Sequence, residues 1–341
     1  MRPFRYEHAA DRAQALQLAN GPREATASAH ITAPIQYLAG GTTLIDLMKL
    51  DVMRPEVLVD INALAGQHGA IRADASGLHL GALARMADAA DDLVVRRDYP
   101  MIAQSLELAA SPQLRNMASL GGNVLQRTRC NYFRDPSWTA CNKRHPGSGC
   151  AAMDGVNRKL AVLGASDHCI ANYPGDFGVA LAALGATVDI EGAGGRRVLA
   201  FEDLHRLPGD TPHIETNLKP GELITGFTVP AGPWTRRSLY LKIRDRQSYE
   251  FALTSAAVAL DVEGGVVREA RIGLGGLAAK PWRSHEAEAA LKGRPLDEAA
   301  AHAAADAALA KAAGHGEATF KIELGRRTLV RALLQAHAME V

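Results

Sequence analysis

Four cysteines and two glycine-rich turns are the residues in this chain whose types and spacing suit chemistry. Cys130, Cys141, Cys150 and Cys169 fall within 40 residues of a 341-residue chain. Scattered at random, four points would cluster this tightly roughly once in a hundred times or less, so the thiols read as a set. Two disulfides suit an oxidising compartment, but a large domain rarely needs them. A structural zinc site usually shows Cys-x2-Cys pairs, and none is present. His145 and His168 keep zinc open as alternative ligands. A four-thiolate iron–sulfur cluster tolerates the irregular spacing, because separate loops can converge on one cubane. Arg127, Arg129, Arg134, Lys143, Arg144 and His145 surround the first three thiols. Such cations stabilise an anionic cluster, so iron–sulfur is the favoured reading of the three.

The first glycine turn, Ala39-Gly40-Gly41-Thr42-Thr43-Leu44, lies between an expected strand over 36–40 and an expected helix from Leu44, with Thr42 or Thr43 as N-cap. Glycine lets backbone N–H groups approach a phosphate closely, and a helix start adds favourable potential. The spacing is not the Rossmann G-x-G-x-x-G. The second turn, Ser119-Leu120-Gly121-Gly122-Asn123, offers further amides and is expected to lead into a strand. Tyr173-Pro174-Gly175-Asp176 supplies a carboxylate for a ribose or adenine edge, or a helix N-cap. Three such turns suit a long ligand held at several points, such as a dinucleotide.

Elements that must position these groups follow from periodicity. Strands are expected at 56–61 and 78–82, a helix at 100–110, a helix at 176–184 and a strand near 187–190. Residues 126–158 lack periodicity and read as an insertion shaped by what it binds. Pro230-Ala-Gly-Pro233 is the linker candidate. Strands Ser238–Ile243, Ser255–Val262 and Val266–Leu274 follow, then Ala-rich helices over 283–313, broken at Gly293-Arg-Pro295, and over 323–339. That order suggests an α+β C-terminal domain with an antiparallel sheet. Composition agrees with a globular protein: 47% hydrophobic and 22% charged residues. A net charge of +1 and 5% aromatics argue against nucleic acid as a partner. No apolar run is long enough for a membrane span. The N-terminus shows no signal core, so cytoplasmic location is the default, with export alongside a signal-bearing partner as the alternative.

The two glycine turns, the second preceded by Gln113-Leu-Arg-Asn-Met-Ala118, resemble those of the FAD-binding subunit in the xanthine dehydrogenase family of molybdenum hydroxylases. Gly221-Glu-Leu-Ile224, Tyr240-Leu-Lys-Ile-Arg244, Phe251-Ala-Leu-Thr-Ser255 and Gly275-Gly-Leu-Ala-Ala-Lys-Pro-Trp282 match that family's later motifs in order. Gln126-Arg-Thr-Arg-Cys130, Cys141-Asn-Lys-Arg-His-Pro-Gly-Ser-Gly-Cys150 and Cys169-Ile-Ala resemble the periplasmic aldehyde oxidoreductase branch, whose flavin subunit also carries a [4Fe-4S] cluster.

The resemblance implies an α+β chain. Its FAD-binding domain, 1–229, would be PCMH-type and not Rossmann, with two α/β subdomains of about 1–58 and 59–229 and the cluster insertion at about 126–170. The C-terminal domain would span 234–341. Gln36, Tyr37, Leu38, Ala39, Gly40, Gly41, Thr42, Thr43 and Leu44 would wrap the FAD pyrophosphate. Ser119, Gly122 and Asn123 would contact the diphosphate and ribitol, Asp176 the adenosine end, and Leu223 and Ile224 a ring. Lys242 and Tyr249 would lie near the isoalloxazine. Gln247-Ser-Tyr-Glu250 departs from the Arg-Arg-x-Asp common in relatives and puts NAD reduction in doubt. Cys130, Cys141, Cys150 and Cys169 would ligate the cluster. No catalytic residue is expected in this chain, because the flavin supplies the chemistry. Implied partners are a large molybdopterin subunit, a small [2Fe-2S] subunit and an external electron acceptor, in the periplasm by co-export. The alternatives are the flavin subunit of a xanthine dehydrogenase-like or 4-hydroxybenzoyl-CoA reductase-like enzyme, or the same fold with structural zinc.

Overall fold

The computed structural model describes residues 1–21 and 30–341. The described residues form three sheets, and the first glycine turn lies at the end of a strand of the first.

The first sheet is parallel, with β1 (Arg5–His8), β2 (Ile35–Leu38) and β3 (Val57–Asp60) in the order β1-β3-β2. Its middle strand is buried throughout, as a parallel strand covered on both faces should be. The strand expected at 36–40 is shorter and shifted by one residue. Its chain then turns through Gly40 and Gly41 into the helix Leu44–Lys49.

The second sheet is antiparallel. It comprises β4 (Ile71–Asp74), β5 (Gly77–Gly81), β6 (Thr187–Gly192), β7 (Gly195–Ala200) and β8 (Leu223–Pro230), in the order β4-β5-β8-β6-β7. The helices Pro100–Glu107 and Asp176–Leu184 contribute to the core beneath it, with Phe177, Phe201 and Phe227 in edge-on contact. All nine residues of Asp176–Leu184 are buried. A helix apolar all round belongs between layers, and this one packs against both the second sheet's core and the third sheet.

The third sheet is antiparallel, with β9 (Ser238–Ile243), β10 (Thr254–Glu263), β11 (Val266–Gly275) and β12 (Trp282–Arg283) ordered β12-β11-β10-β9. The helices His285–Leu291, Glu298–Leu309 and Phe320–His337 cover one face. This is the expected α+β arrangement of strands followed by helices.

Two local expectations need correction. Ser119–Val124 is not a turn leading to a strand. Leu120–Val124 is a short helix, and the Ser119 hydroxyl caps it by accepting from Gly122 N at 3.1 Å. Asp176 does not N-cap its helix; Gly175 occupies that position. Among the described residues, no helix is long and apolar enough to cross a membrane.

Candidate cofactor cavity and cysteine cluster

The two glycine turns meet in backbone contact. A Cβ on Gly40 would stand 1.9 Å from the Met117 carbonyl oxygen, so only glycine fits there. Gly41 has φ +73, the left-handed region that glycine enters without penalty. The following helix has six residues, so the amides of the turn carry more weight than a helix dipole. Thr43 is at its N-cap, but its hydroxyl caps no amide.

Between the turns lies a cavity. Gln36, Tyr37, Ala39, Gly40, Gly41, Thr42, Thr43 and Leu44 line one side, and Ser119, Gly121 and Gly122 line another. Leu223 and Ile224, on the central strand of the second sheet, close the floor. The structure therefore brings together most of the residues expected to hold FAD. Tyr37 is fixed by donating to Gly221 O at 3.0 Å, and burial pushes its phenol well up. Gln36 donates to His30 O at 2.9 Å.

Five expected contacts fall elsewhere. Leu38 packs among the residues of the cysteine core and does not line the cavity. Asn123 is turned away, donating to Met86 Sδ at 3.3 Å. Asp176 and Lys242 pair with each other: Lys242 Nζ lies 2.7 Å from Asp176 Oδ2, and Tyr240 OH donates to Oδ1 at 2.8 Å. Their side chains are 4% and 1% exposed, so this pair fastens the helix Asp176–Leu184 to β9 and offers no free face to the cavity. Tyr249 is exposed, in a left-handed conformation (φ +52) on the β9–β10 loop, with Arg246 above its ring. It too lies outside the cavity lining.

Tyr173, from the third expected turn, lines the opposite wall together with residues that carry no ligand signal in the sequence, His205, Arg206, Glu215, Thr216 and Leu218. His205 and Thr216 are bridged, so residues 205–216 form an irregular hairpin over the cavity. The Tyr173 hydroxyl and His205 Nε2 both bond the Val124 carbonyl, at 3.0 and 2.9 Å. Burial lowers the His205 pKa to about 4, so the ring is neutral and Nε2 is the donor.

All four cysteines belong to one core, beneath the first glycine turn. Cys130, Cys141 and Cys169 are buried, Cys150 is partly buried, and none is in a disulfide. Cys141 and Cys150 face each other across an antiparallel bridge. Burial raises the Cys130 thiol to about 12, with the neighbouring Cys169 and Cys141 adding to the rise. Burial also raises Cys169. The basic surround is mostly committed to carboxylates. Arg129 and Arg134 pair with Asp46, Arg127 and Lys143 with Glu215. Arg144 donates to the Tyr132 and Trp138 carbonyls. His168 pairs with Asp210 at 3.4 Å. Lys143, two residues beyond Cys141, lines the cavity. Among the described residues, no three His, Cys, Asp or Glu side chains form a group that could hold a metal ion. The expected cluster site is thus present as a gathering of free thiols, not as a formed ligand cage.

Sheet order, paired turns and cavity define a flavin-binding fold without a Rossmann motif. Residues 2–232 match the family described as the FAD binding domain in molybdopterin dehydrogenase, and residues 239–336 match the CO dehydrogenase flavoprotein C-terminal domain. The chain belongs to this family of FAD-binding oxidoreductase subunits. It is 45% identical to the aldehyde oxidoreductase FAD-binding subunit PaoB of Escherichia coli (strain K12), over 94% of this chain and 96% of that one. It is 28% identical to the carbon monoxide dehydrogenase medium chain of Afipia carboxidovorans, over 88% of each. Among solved structures, reconstituted CO dehydrogenase from Oligotropha carboxidovorans superposes with a TM-score of 0.75 at 26% identity, covering 100% of both chains.

Proposed function

We propose that this chain is the FAD- and [4Fe-4S]-binding electron-transfer subunit of a heterotrimeric, molybdenum-containing aldehyde oxidoreductase. One observation carries the reading: four free cysteines share a core directly beneath the glycine turn that lines the cofactor cavity. The 45% identity to an aldehyde oxidoreductase subunit supports the aldehyde as substrate. FAD, when bound, exchanges electrons singly or in pairs. The chain's own residues bind and orient it: Gly40 and Gly41 open the backbone, Ser119 fixes the second turn, and Leu223 and Ile224 give an apolar floor. Cys130, Cys141, Cys150 and Cys169 would hold the cluster as thiolates, so binding it would release protons.

A large molybdopterin subunit would oxidise the aldehyde, and a small [2Fe-2S] subunit would deliver electrons here for an external acceptor. The periplasm would be reached by co-export with a signal-bearing partner. The test is the complex co-expressed with its neighbouring reading frames and purified from the periplasm. One FAD per copy of this chain, and about four irons per copy beyond those of the [2Fe-2S] subunit, are expected, with aldehyde-dependent dye reduction. Zinc in place of iron, or recovery only from the cytoplasm, would refute the corresponding part.

A further inference from the structure

We propose that Arg85 and Asn62 form a positioning bridge that locks the two glycine turns into one FAD-binding unit, an inference that rests on the FAD reading of the cavity. Neither side chain lines the cavity, yet together they bond Ala39, which does, and Met117, two residues before the lining Ser119. Arg85 Nη1 donates to the Met117 carbonyl at 2.5 Å, and Nη2 donates to Asn62 Oδ1 at 3.0 Å. Asn62 Nδ2 donates to the Ala39 carbonyl at 3.0 Å and to Asp60 Oδ1 at 2.8 Å. The amide orientation is forced: guanidinium can only donate, and a carbonyl and a carboxylate can only accept. Ala39 opens the first turn and Met117 precedes the second, so the bridge ties the two loops at their points of departure.

The anchorage on each side is firm. Asp60 also accepts from Asn62 N at 2.7 Å and from the Tyr6 hydroxyl, so the amide is held from the end of β3. Arg85 pairs through its backbone with Ser119, and Met86 N donates to Ala118 O at 2.9 Å. The second turn is thus fastened to the 82–86 segment by its backbone, while the Arg85 side chain alone extends that fastening to Asn62 and the first turn. The Met117 carbonyl that Arg85 grips is also the atom against which Gly40 rests. Contact with Gly40 at that atom limits the approach of the loops and the bridge limits their separation, so the spacing between the two sets of amides follows from both. A diphosphate spanning both turns depends on that spacing.

Deflavinated full-length protein in its complex is titrated with FAD and followed by flavin fluorescence quenching and by circular dichroism of the bound flavin. Arg85→Met and Asn62→Ala are each expected to weaken FAD binding tenfold or more. The double variant should lie within twofold of the weaker single one, because both break one chain of bonds. Arg85→Lys reaches one acceptor and should fall between. The bound-flavin dichroism of the variants should change shape, which a general loss of stability would not produce. Asn62→Ala removes no charge and serves if Arg85→Met fails to fold. Parent-like affinity in either single variant, or additive losses in the double, overturns the bridge. A parent protein that never binds FAD would instead overturn the reading of the cavity.

Discussion

Gly40→Ala separates a steric account of the cofactor turn from a conformational one. The new methyl would stand 1.9 Å from Met117 O and 2.7 Å from its carbonyl carbon, both backbone atoms. Ordinary carbon–oxygen contact needs about 3.2 Å, so the turns must part by about 1.3 Å. The Met117 carbonyl cannot simply rotate away, because Arg85 holds it at 2.5 Å. Overpacking of this kind costs about 1–3 kcal/mol, and each 1.4 kcal/mol falling on the bound state is about tenfold in Kd. FAD binding should therefore weaken by about tenfold to a hundredfold. Gly41→Ala makes the contrast. It carries φ +73, worth about 1–2 kcal/mol of strain. Its methyl, however, meets only side-chain atoms, Ile45 Cγ1 at 3.1 Å and Leu38 Cδ1 at 3.3 Å, and no backbone. Retained flavin per chain after gel filtration, with Kd from fluorescence, ranks the two. In an Arg85→Met background, the Gly40→Ala penalty should shrink, since the carbonyl is then released. Near-parental affinity in Gly40→Ala, or a larger loss in Gly41→Ala, would refute the backbone-contact argument.

Three further outcomes are expected. Asp176→Ala leaves the Lys242 ammonium buried without its partner and should cost about 3–5 kcal/mol, read as a fall in Tm, whereas removing both charges with Asp176→Asn and Lys242→Met should restore part of it. His205 is neutral in the folded protein with a pKa near 4, against 6.5 when unfolded, so the unfolded state binds the extra proton between those values. Stability should then be lost as pH falls from about 6.5 to 4, by about 3 kcal/mol, and denaturant titrations of His205→Gln should show a shallower fall across that window. Cys150→Ser should lower iron below half the parental content and loosen residues 126–158 to protease while leaving FAD in place; unchanged iron would mean that the four cysteines are not one ligand set.

Legibility in the sequence tracked the range of the interactions involved. The helix Asp176–Leu184 and the strand Ser238–Ile243 can be read to the residue, because apolar periodicity and a following Gly185 or a clean alternation state them locally. The first glycine turn is legible for the same reason. The strand Leu223–Pro230 is not. It is the centre of the second sheet, but it is defined by pairing with Gly77–Gly81, about 150 residues earlier, and with Thr187–Gly192. Leu120–Val124 hides as a helix behind two glycines, which lower intrinsic propensity until tertiary packing and the Ser119 cap override it. Asp176 and Lys242 each have a type suited to a cofactor contact. Only their 2.7 Å pairing across 66 residues shows that they satisfy one another. Arg85 and Asn62 carried no signal, since both are common surface types and their role lies wholly in where the fold puts Ala39 and Met117.

The wall between cavity and cysteines bears on how the two sites depend on each other. Glu215 accepts from Arg127 and, at 2.8 Å, from Lys143, and all three line the cavity. Lys143 follows Cys141 by two residues and so belongs to the cysteine segment. It is buried, and desolvation opposes its charge, so its ammonium depends on Glu215 and on the Pro212 carbonyl at 3.1 Å. Glu215 sits on the 205–216 hairpin over the cavity, whereas Lys143 sits in the cysteine segment. A change that moves the hairpin therefore strands a buried cation beside the thiols, and a change that unravels the cysteine segment withdraws a partner from the cavity wall. The two sites are separate in composition but share one electrostatic support, which explains how a segment with little regular structure is kept in place against the flavin-binding sheets.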